Sequence, residues 1–237
     1  MLPPDVTAVR SQVRDLGLDL DDTQASQLLR LVGLLQHWNA AYNLTAVREP
    51  GAMWRQHVLD CLAAVPPVQR WLAAHVPHDR PARVLDVGSG GGLPGLVWAV
   101  ALPGVDITCL DAVGKKVAFV RQAAGALALP RVQAVHARAE RWSGGPFDLI
   151  ASRAFASLAD FTGCTAHLLA PGGCWVAMKG RQPDDELRAL GDDRQVFHVE
   201  QLQVPELAAE RCLVWMAPAP RPDRDPVSYT SPSAHGR

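Results

Sequence analysis

The segment Val84 to Gly95, VLDVGSGGGLPG, constrains this chain more than any other. An apolar run carries one carboxylate, Asp86, and then five glycines fall within eight residues. The run RVLDVG reads as a strand covered on both faces. LPGLVWAVAL after it reads as a helix. Glycines between the two allow a tight turn and close approach of backbone to a ligand, and in open α/β sheets ligands lie at the carboxyl ends of the strands. A triphosphate loop requires Lys followed by Ser or Thr, and neither pair occurs here. A dinucleotide fingerprint fails when counted from Gly88, because Leu93 holds the last position; counted from Gly90 it fits Gly90, Gly92 and Gly95. Asp86 weighs against that register, since a carboxylate beside the turn repels a pyrophosphate and suits a cationic ligand. The plain alternative is that Asp86 caps a helix.

Strands alternating with helices continue beyond this turn. VDITCLD, RVQAVHA, FDLIASR and CWVAMKG read as further strands, separated by helices at GKKVAFVRQAAGALAL and SLADFTGCTAHLLA, the latter closed by Pro171-Gly172-Gly173. A short helix near 184–190 precedes FHVEQLQV and RCLVWMA, read as an antiparallel pair. Such alternation implies right-handed βαβ units. The fold expected is α/β: Rossmann-like, with a seven-stranded, mostly parallel sheet and an N-terminal helical extension. Residues 1–80 form the extension, 81–217 the catalytic domain and 218–237 a Pro-rich disordered tail. In the extension, Leu28, Leu31, Val32, Leu35 and Trp38 recur at helical spacing after N-cap chemistry around Asp22. A second helix is expected from Pro50 to Ala64, ended by Pro66-Pro67, and a third from Val68 to His75.

Composition bounds the partners. Hydrophobic residues make up 48% and charged residues 20%, with a net charge of −1, so any nucleic acid must be held by a local patch. Basic residues do gather between 111 and 153 (Lys115, Lys116, Arg121, Arg131, Arg138, Arg141), either as a phosphate-binding patch or as solvated helix faces. No apolar run approaches the ~20 residues of a membrane span, and no signal-type h-region opens the chain. Five widely spaced cysteines argue against a disulfide framework and for a reducing, cytoplasmic setting. The His75–His78 and Cys164–His167 groups lack a second ligand pair, so no metal site is expected.

The order Asp86-x-Gly88-x-Gly90-x-Gly92 resembles the acidic–glycine motif of S-adenosylmethionine-dependent methyltransferases, whose cofactor carries an ammonium and a sulfonium. Asp111, ending the second strand, can accept ribose hydroxyls, and Ala139-Glu140 follow the third strand, where an adenine would lie. At the end of the fourth strand stands Ser152-Arg153-Ala154-Phe155, not the Asn/Asp-Pro-Pro-aromatic segment of many amine methylases, and no Pro-Cys offers a C5-cytosine nucleophile. A ring nitrogen with a free lone pair, such as purine N7, needs no general base. Arg153 is a candidate for a cofactor carboxylate or a substrate phosphate, and Lys179 for the same cleft.

Further segments, Trp38-Asn39-Ala-Ala-Tyr42-Asn43-Leu44-Thr45, Arg55-Gln-His57-Val-Leu59-Asp60, Ser152-Arg-Ala-Phe-Ala-Ser157 and Met178-Lys179-Gly180, together with the LPG ending of the turn, resemble the small-subunit (16S) ribosomal RNA guanine-N7 methyltransferases, also called glucose-inhibited division protein B. The resemblance runs through most of residues 30–216. It implies methylation of N7 of one guanine, the 527 position of the 530 loop, in 16S rRNA or the 30S particle. It implies cofactor contacts from Gly88, Leu93, Ala139, Glu140 and Arg153, joined by Asp86, Gly90 and Asp111 from the motif. Arg153, Lys179, His57 and Asn39 become the candidate catalytic or substrate-binding residues, although for His57 and Asp60 a structural i,i+3 pair on one helix face is equally open. Neither a membrane nor a stable protein partner is implied. Two other classes stay open: a methyltransferase for a small molecule or protein, its helical segment serving as a lid, and a nicotinamide enzyme using the Gly90–Gly92–Gly95 register.

Overall fold

A computed structural model describes residues 4–220 except Ala154 and Ala156. Seven strands form one sheet: β1 (Arg83–Val87), β2 (Asp106–Asp111), β3 (Val132–His136), β4 (Phe147–Ser152), β5 (Leu169–Lys179), β6 (Arg194–Leu202) and β7 (Arg211–Pro218). Their order is β3-β2-β1-β4-β5-β7-β6. β1 to β5 pair in parallel, and β7 pairs antiparallel with both β5 and β6, as the sequence pattern implied. The chain reverses its direction of winding between β1 and β4, so a crevice opens at their carboxyl ends.

Two apolar layers cover the sheet. One contains α6 (Gly95–Ala101) and α7 (Gly114–Ala126) and is continuous with the N-terminal helices α1 (Val6–Asp15) and α2 (Asp22–Tyr42). The other holds α8 (Leu158–Thr165), with Phe161, Trp175 and Ile150 at its centre. α2 starts one residue earlier than the N-cap chemistry at Asp22 suggests. Asp21 accepts from Gln24 N–H while the Gln24 side chain answers the Asp21 N–H, a reciprocal capping box. Its stripe of Leu28, Leu31, Val32 and Leu35 is buried, and Trp38 meets the Phe119 ring edge-on at 5.5 Å. The helix ends on Asn43 with φ 49°, a left-handed cap that asparagine tolerates.

Three local expectations need correction. The helix from Pro50 to Ala63 is not uniform: α3 (Pro50–Met53) and α4 (Asp60–Ala63) flank a π-helical turn, Trp54–Leu59. Pro66 and Pro67 do not end a helix but lie in the first turn of α5 (Val65–His75), where a missing N–H costs nothing. Pro171-Gly172-Gly173 falls inside β5, where the pairing jumps from Phe147–Leu169 to Leu149–Cys174. The preceding α-helix accordingly stops at Thr165 and passes through one 3₁₀ turn. Beyond β7, Ala219 N–H still reaches Asp193 O, and most of the expected tail, 221–237, lies outside the described residues. No described helix is long and apolar enough to cross a membrane.

Candidate active site

The glycine turn is held from two sides. Gly88 and Ser89 N–H both donate to Leu110 O of β2, and Gly92 and Leu93 N–H both donate to Ser89 O. Gly92 has φ +73°, and a Cβ there would sit 2.5 Å from Leu96, so no other residue type serves. A Cβ on Gly91 would approach Leu35 of α2 to 3.0 Å, so a bare backbone at this position lets the N-terminal helix seat directly on the turn. Leu93 is buried beneath it.

Asp86 is fully buried. Its Oδ2 accepts the Gly95 N–H at 2.8 Å, at the start of α6, which is the helix-capping alternative. Its Oδ1 has no partner among the described residues. Burial pushes this carboxyl up to about 7, against the smaller opposing pull of the Gly95 N–H and of Arg153. Asp111, expected to take ribose hydroxyls, is tied to the turn. Its Oδ2 accepts Gly90 N–H at 2.9 Å and its Oδ1 accepts Val113 N–H at 2.8 Å. Each oxygen keeps a second lone pair, so the two duties are compatible. Ala139 is buried and Glu140 exposed on a 3₁₀ turn after β3. The residues fit an adenosyl cofactor on a direct count: Ser89 Oγ at the end of β1, Ser152 Oγ at the end of β4 and Asp86 Oδ1 are all buried without a partner among the described residues. They ring the crevice where the sheet changes direction.

The second group of candidates meets on the other side of that crevice. A cavity of about 420 Å³ is lined by His57, Asp60, Arg153, Lys179 and Arg211, among others. Asp60 is 5% exposed and bridges two arginines, with Arg211 Nε at 2.6 Å on Oδ1 and Arg153 Nη1 at 3.5 Å on Oδ2. Lys179 Nζ bonds both oxygens of Glu186, at 2.9 and 2.8 Å, and Glu186 also accepts the Leu158 N–H that opens α8. Lys179 thus lines the cavity as half of an ion pair.

His57 on the cavity wall and Asn39 behind it order one loop. Asn39 Nδ2 donates to Val47 O and its Oδ1 accepts Thr45 N–H, a clamp across residues 45–47. His57 Nδ1 lies 3.0 Å from Gln56 O. A carbonyl only accepts, so we assign the ring proton to Nδ1, and Thr45 Oγ1 donates to Nε2 at 2.6 Å. Arg153 Nη1 stands 3.4 Å from Nδ1, and as both are donors this is a contact between neighbours, not a hydrogen bond. Burial, with Arg153 adding to it, holds the His57 imidazole down at about 4. The ring stays neutral with both nitrogens engaged.

The structure therefore brings Arg153, Lys179 and His57 to one cavity, places Asn39 behind it, and leaves the Asp86–Asp111 turn on the other side of β4. Of the basic residues between 111 and 153, Arg131 pairs with Asp106 and Arg121 donates to Ala134 O, so these two sit on solvated surfaces with local partners. Sequence reasoning did not single out Arg211 or Glu186 as site residues. Asp60 and Arg211 are 151 positions apart, and no local pattern joins them.

Comparison with known proteins bears on which reaction this geometry serves. The family model GidB, rRNA small subunit methyltransferase G, matches residues 24–214. The chain belongs to the rRNA small subunit methyltransferase G family. Among its relatives, the Ribosomal RNA small subunit methyltransferase G of Acidovorax sp. (strain JS42) is 55% identical over 214 residues, spanning 89% of this chain and 94% of its own. The protein of that name from Leptothrix cholodnii is 54% identical over 217 residues, 92% of this chain and 97% of its own. Solved structures agree on the fold. TrmN from Thermus thermophilus superposes with a TM-score of 0.51 at 23% identity, covering 69% of this chain and 53% of that one. The predicted O-methyltransferase Atu636 of Agrobacterium tumefaciens gives 0.51 at 21%, covering 64% and 81%. The match of the rRNA small subunit methyltransferase G family begins inside α2 and ends inside β7. It takes in the turn together with Asn39, His57, Asp60, Arg153, Lys179, Glu186 and Arg211.

Proposed function

We infer that this chain transfers the methyl group of S-adenosylmethionine to N7 of a single guanine in 16S rRNA, at the 527 position of the 530 loop. The observation that carries the reading is the reach of the family match, which spans both the carboxylate-backed turn and the cation-lined cavity across β4 from it. A turn alone would serve any methyltransferase; the two together serve one acting on a polyanion.

When bound, S-adenosylmethionine supplies an electrophilic methyl on a cationic sulfur. Gly88, Gly90 and Leu93 would hold the cofactor at the turn that Asp111 braces, with Asp111 available to the ribose hydroxyls and Ala139 and Glu140 to the adenine. Asp86 and the unpartnered Ser89 and Ser152 hydroxyls offer polar contacts between them. N7 of guanine presents a lone pair and carries no proton, so no side chain has to remove one. A neutral His57 with both nitrogens occupied suits a positioning role and not that of a base. The chain's contribution is alignment and exclusion of water, worth up to ~7–11 kcal/mol in well-oriented systems. Arg153 stands between the two halves of the site and orients the acceptor. The A-form major groove hides N7, so the target guanine must be presented from a loop, as 16S rRNA within or outside a 30S particle provides. That substrate places the enzyme in the cytoplasm.

Two measurements test this reading. Purified protein incubated with labelled cofactor and 30S particles lacking the methyl group is expected to place label in 7-methylguanosine after nuclease digestion. Label absent from all RNA and present on a small molecule or protein instead overturns it. Asp111→Ala is expected to weaken S-adenosylmethionine binding by about 1–3 kcal/mol, because the Gly90 and Val113 N–H groups lose their acceptor. Calorimetry reads this as a Kd raised roughly 5- to 150-fold; an unchanged Kd removes Asp111 from the cofactor site.

A further inference from the structure

The cavity beside Arg153 is charged unevenly. Arg153, Lys179 and Arg211 are three cations. Asp60 and Glu186 are the carboxylates bound to them, which leaves one positive charge in excess. His57 is held neutral, and Cys61 and Cys212 add none because burial pushes both thiols up. Donors are left over as well. Arg153 spends only Nη1 on its neighbours Gln56, His57, Asp60 and Cys61. Arg211 spends Nε on Asp60 and Nη1 on Glu210 O. Arg153 Nε and Nη2 and Arg211 Nη2 have no partner among the described residues. Two guanidinium groups fixed by one buried carboxylate, with donors unspent among the described residues and a net positive charge, form a preorganised anion site.

The position of the cavity separates two kinds of anion. Its lining comes from the π turn, from Arg153 after β4 and from β5, β6 and β7; none of Gly88 to Leu93, Asp111 or Ala139 touches it. The residues that would hold the cofactor, Asp86, the glycine turn and Asp111, belong to β1 and β2 and the loop between β1 and α6. The excess charge lies on the far side of β4 from that turn.

We propose that Arg211 and Arg153, held together by Asp60, bind a backbone phosphate of the RNA next to the methylated guanine, with Asp60 as the positioning residue that sets the spacing of the two guanidinium groups. This rests on the RNA reading above, and it concerns phosphate, not the cofactor's carboxylate. Asp60 is buried with both oxygens turned to the arginines, and it makes no RNA contact itself. It prevents the two arginines from repelling each other when the cavity is empty, and a phosphate then adds the second counter-charge.

The test is equilibrium binding of a 16S rRNA fragment carrying the 530 loop, measured across salt concentrations, alongside calorimetry with S-adenosylmethionine. Each phosphate contact contributes about one to the slope of log K against log salt. Arg211→Gln is expected to lower that slope by about one, to raise KM for RNA and to leave the cofactor Kd within twofold of the parent. Arg211→Lys is expected to keep the slope. Because glutamine leaves Asp60 short of a partner, the double variant Asp60→Asn/Arg211→Gln removes both charges together and is expected to show the same loss of slope with an intact fold. A parental slope in the Arg211→Gln and double variants overturns the proposal. So does a weakened cofactor Kd with RNA binding intact, which would assign the cavity to the cofactor's carboxylate. If the parent methylates 30S particles but the variants keep the slope, the phosphate site alone falls; if the parent methylates no RNA, the RNA reading falls and takes this proposal with it.

Discussion

Asp86→Asn is expected to raise stability at neutral pH while weakening cofactor binding. Burial drives the Asp86 carboxyl from an ordinary value near 3.8 to about 7. Between those values the folded chain holds a proton that the unfolded chain has released. Native stability therefore falls as pH rises through this window and levels off above it. A difference of roughly three pH units corresponds to about 4 kcal/mol as an upper figure. Asparagine keeps an acceptor for the Gly95 N–H and carries no charge to desolvate. Urea unfolding should show the variant ahead of the parent by up to about 4 kcal/mol at pH 7.5, with the advantage shrinking toward pH 4. His57 acts in the opposite sense: its stabilisation is complete above about 6.5 and is lost as pH falls toward 4. That slope is common to both proteins and cancels in the difference. No gain at pH 7.5 would show that the buried carboxyl costs the fold nothing. Calorimetry on the same variant should show weaker S-adenosylmethionine binding, because a cationic ligand loses its nearby negative charge; unchanged affinity would leave Asp86 a helix cap alone.

Gly95→Ala should damage the packing beneath the turn through steric crowding alone, with no backbone strain added. A Cβ at this position would lie 2.4 Å from Cys109 Sγ and 2.9 Å from Asp86 Oδ2. Both neighbours are buried strand residues with nowhere to move. Overpacking of this kind costs about 1–3 kcal/mol, and the upper end applies where two strands converge on a helix start. At roughly 2–4 °C per kcal/mol for a chain of this size, Tm should fall by about 6–12 °C. A melting temperature within 2 °C of the parent would mean that α6 can slide away from the sheet, and the account of Gly95 as a packing glycine would fail. The result also separates two readings of the same residue. Gly95 closes the dinucleotide-like register of glycines, yet its Cβ direction faces the core under the turn and not a ligand.

The sheet and its turn were legible in the sequence because they are local. Apolar runs bounded by Gly, Pro and Asp locate β1 to β4, and Asp86 and Asp111 fall at strand ends by simple counting. What lay beyond reach depends on partners far apart in the chain. Lys179 reads as a free cation in a cleft until Glu186 arrives from the next helix. Asp60 reads as half of an i,i+3 pair with His57, but its bonds go to Arg211 and Arg153. Asn39 reads as a substrate residue, and both ends of its amide are spent on the loop at 45–47. Pro66-Pro67 reads as a stop signal, since local chemistry alone does not distinguish the end of one helix from the first turn of the next. The break in pairing between β4 and β5 at Pro171–Gly173 is likewise invisible without the partner strand.

The π turn at Trp54–Leu59 has a consequence for how this segment tolerates insertions and deletions. At its first residue, Trp54 Nε1 is anchored to Gln12 of α1; just past its last, Asp60 is anchored to Arg211 of β7. One surplus residue is taken up in the wide turn between them. Removing one residue between these anchors would return the rod to ordinary winding with its two ends still in register, because the residue lost is the one the wide turn had absorbed. The indole and the carboxylate would then both keep their mates, whereas one further inserted residue would swing one end by about 100° past the other and break one of the two bonds, so a one-codon deletion here should be milder than a one-codon insertion.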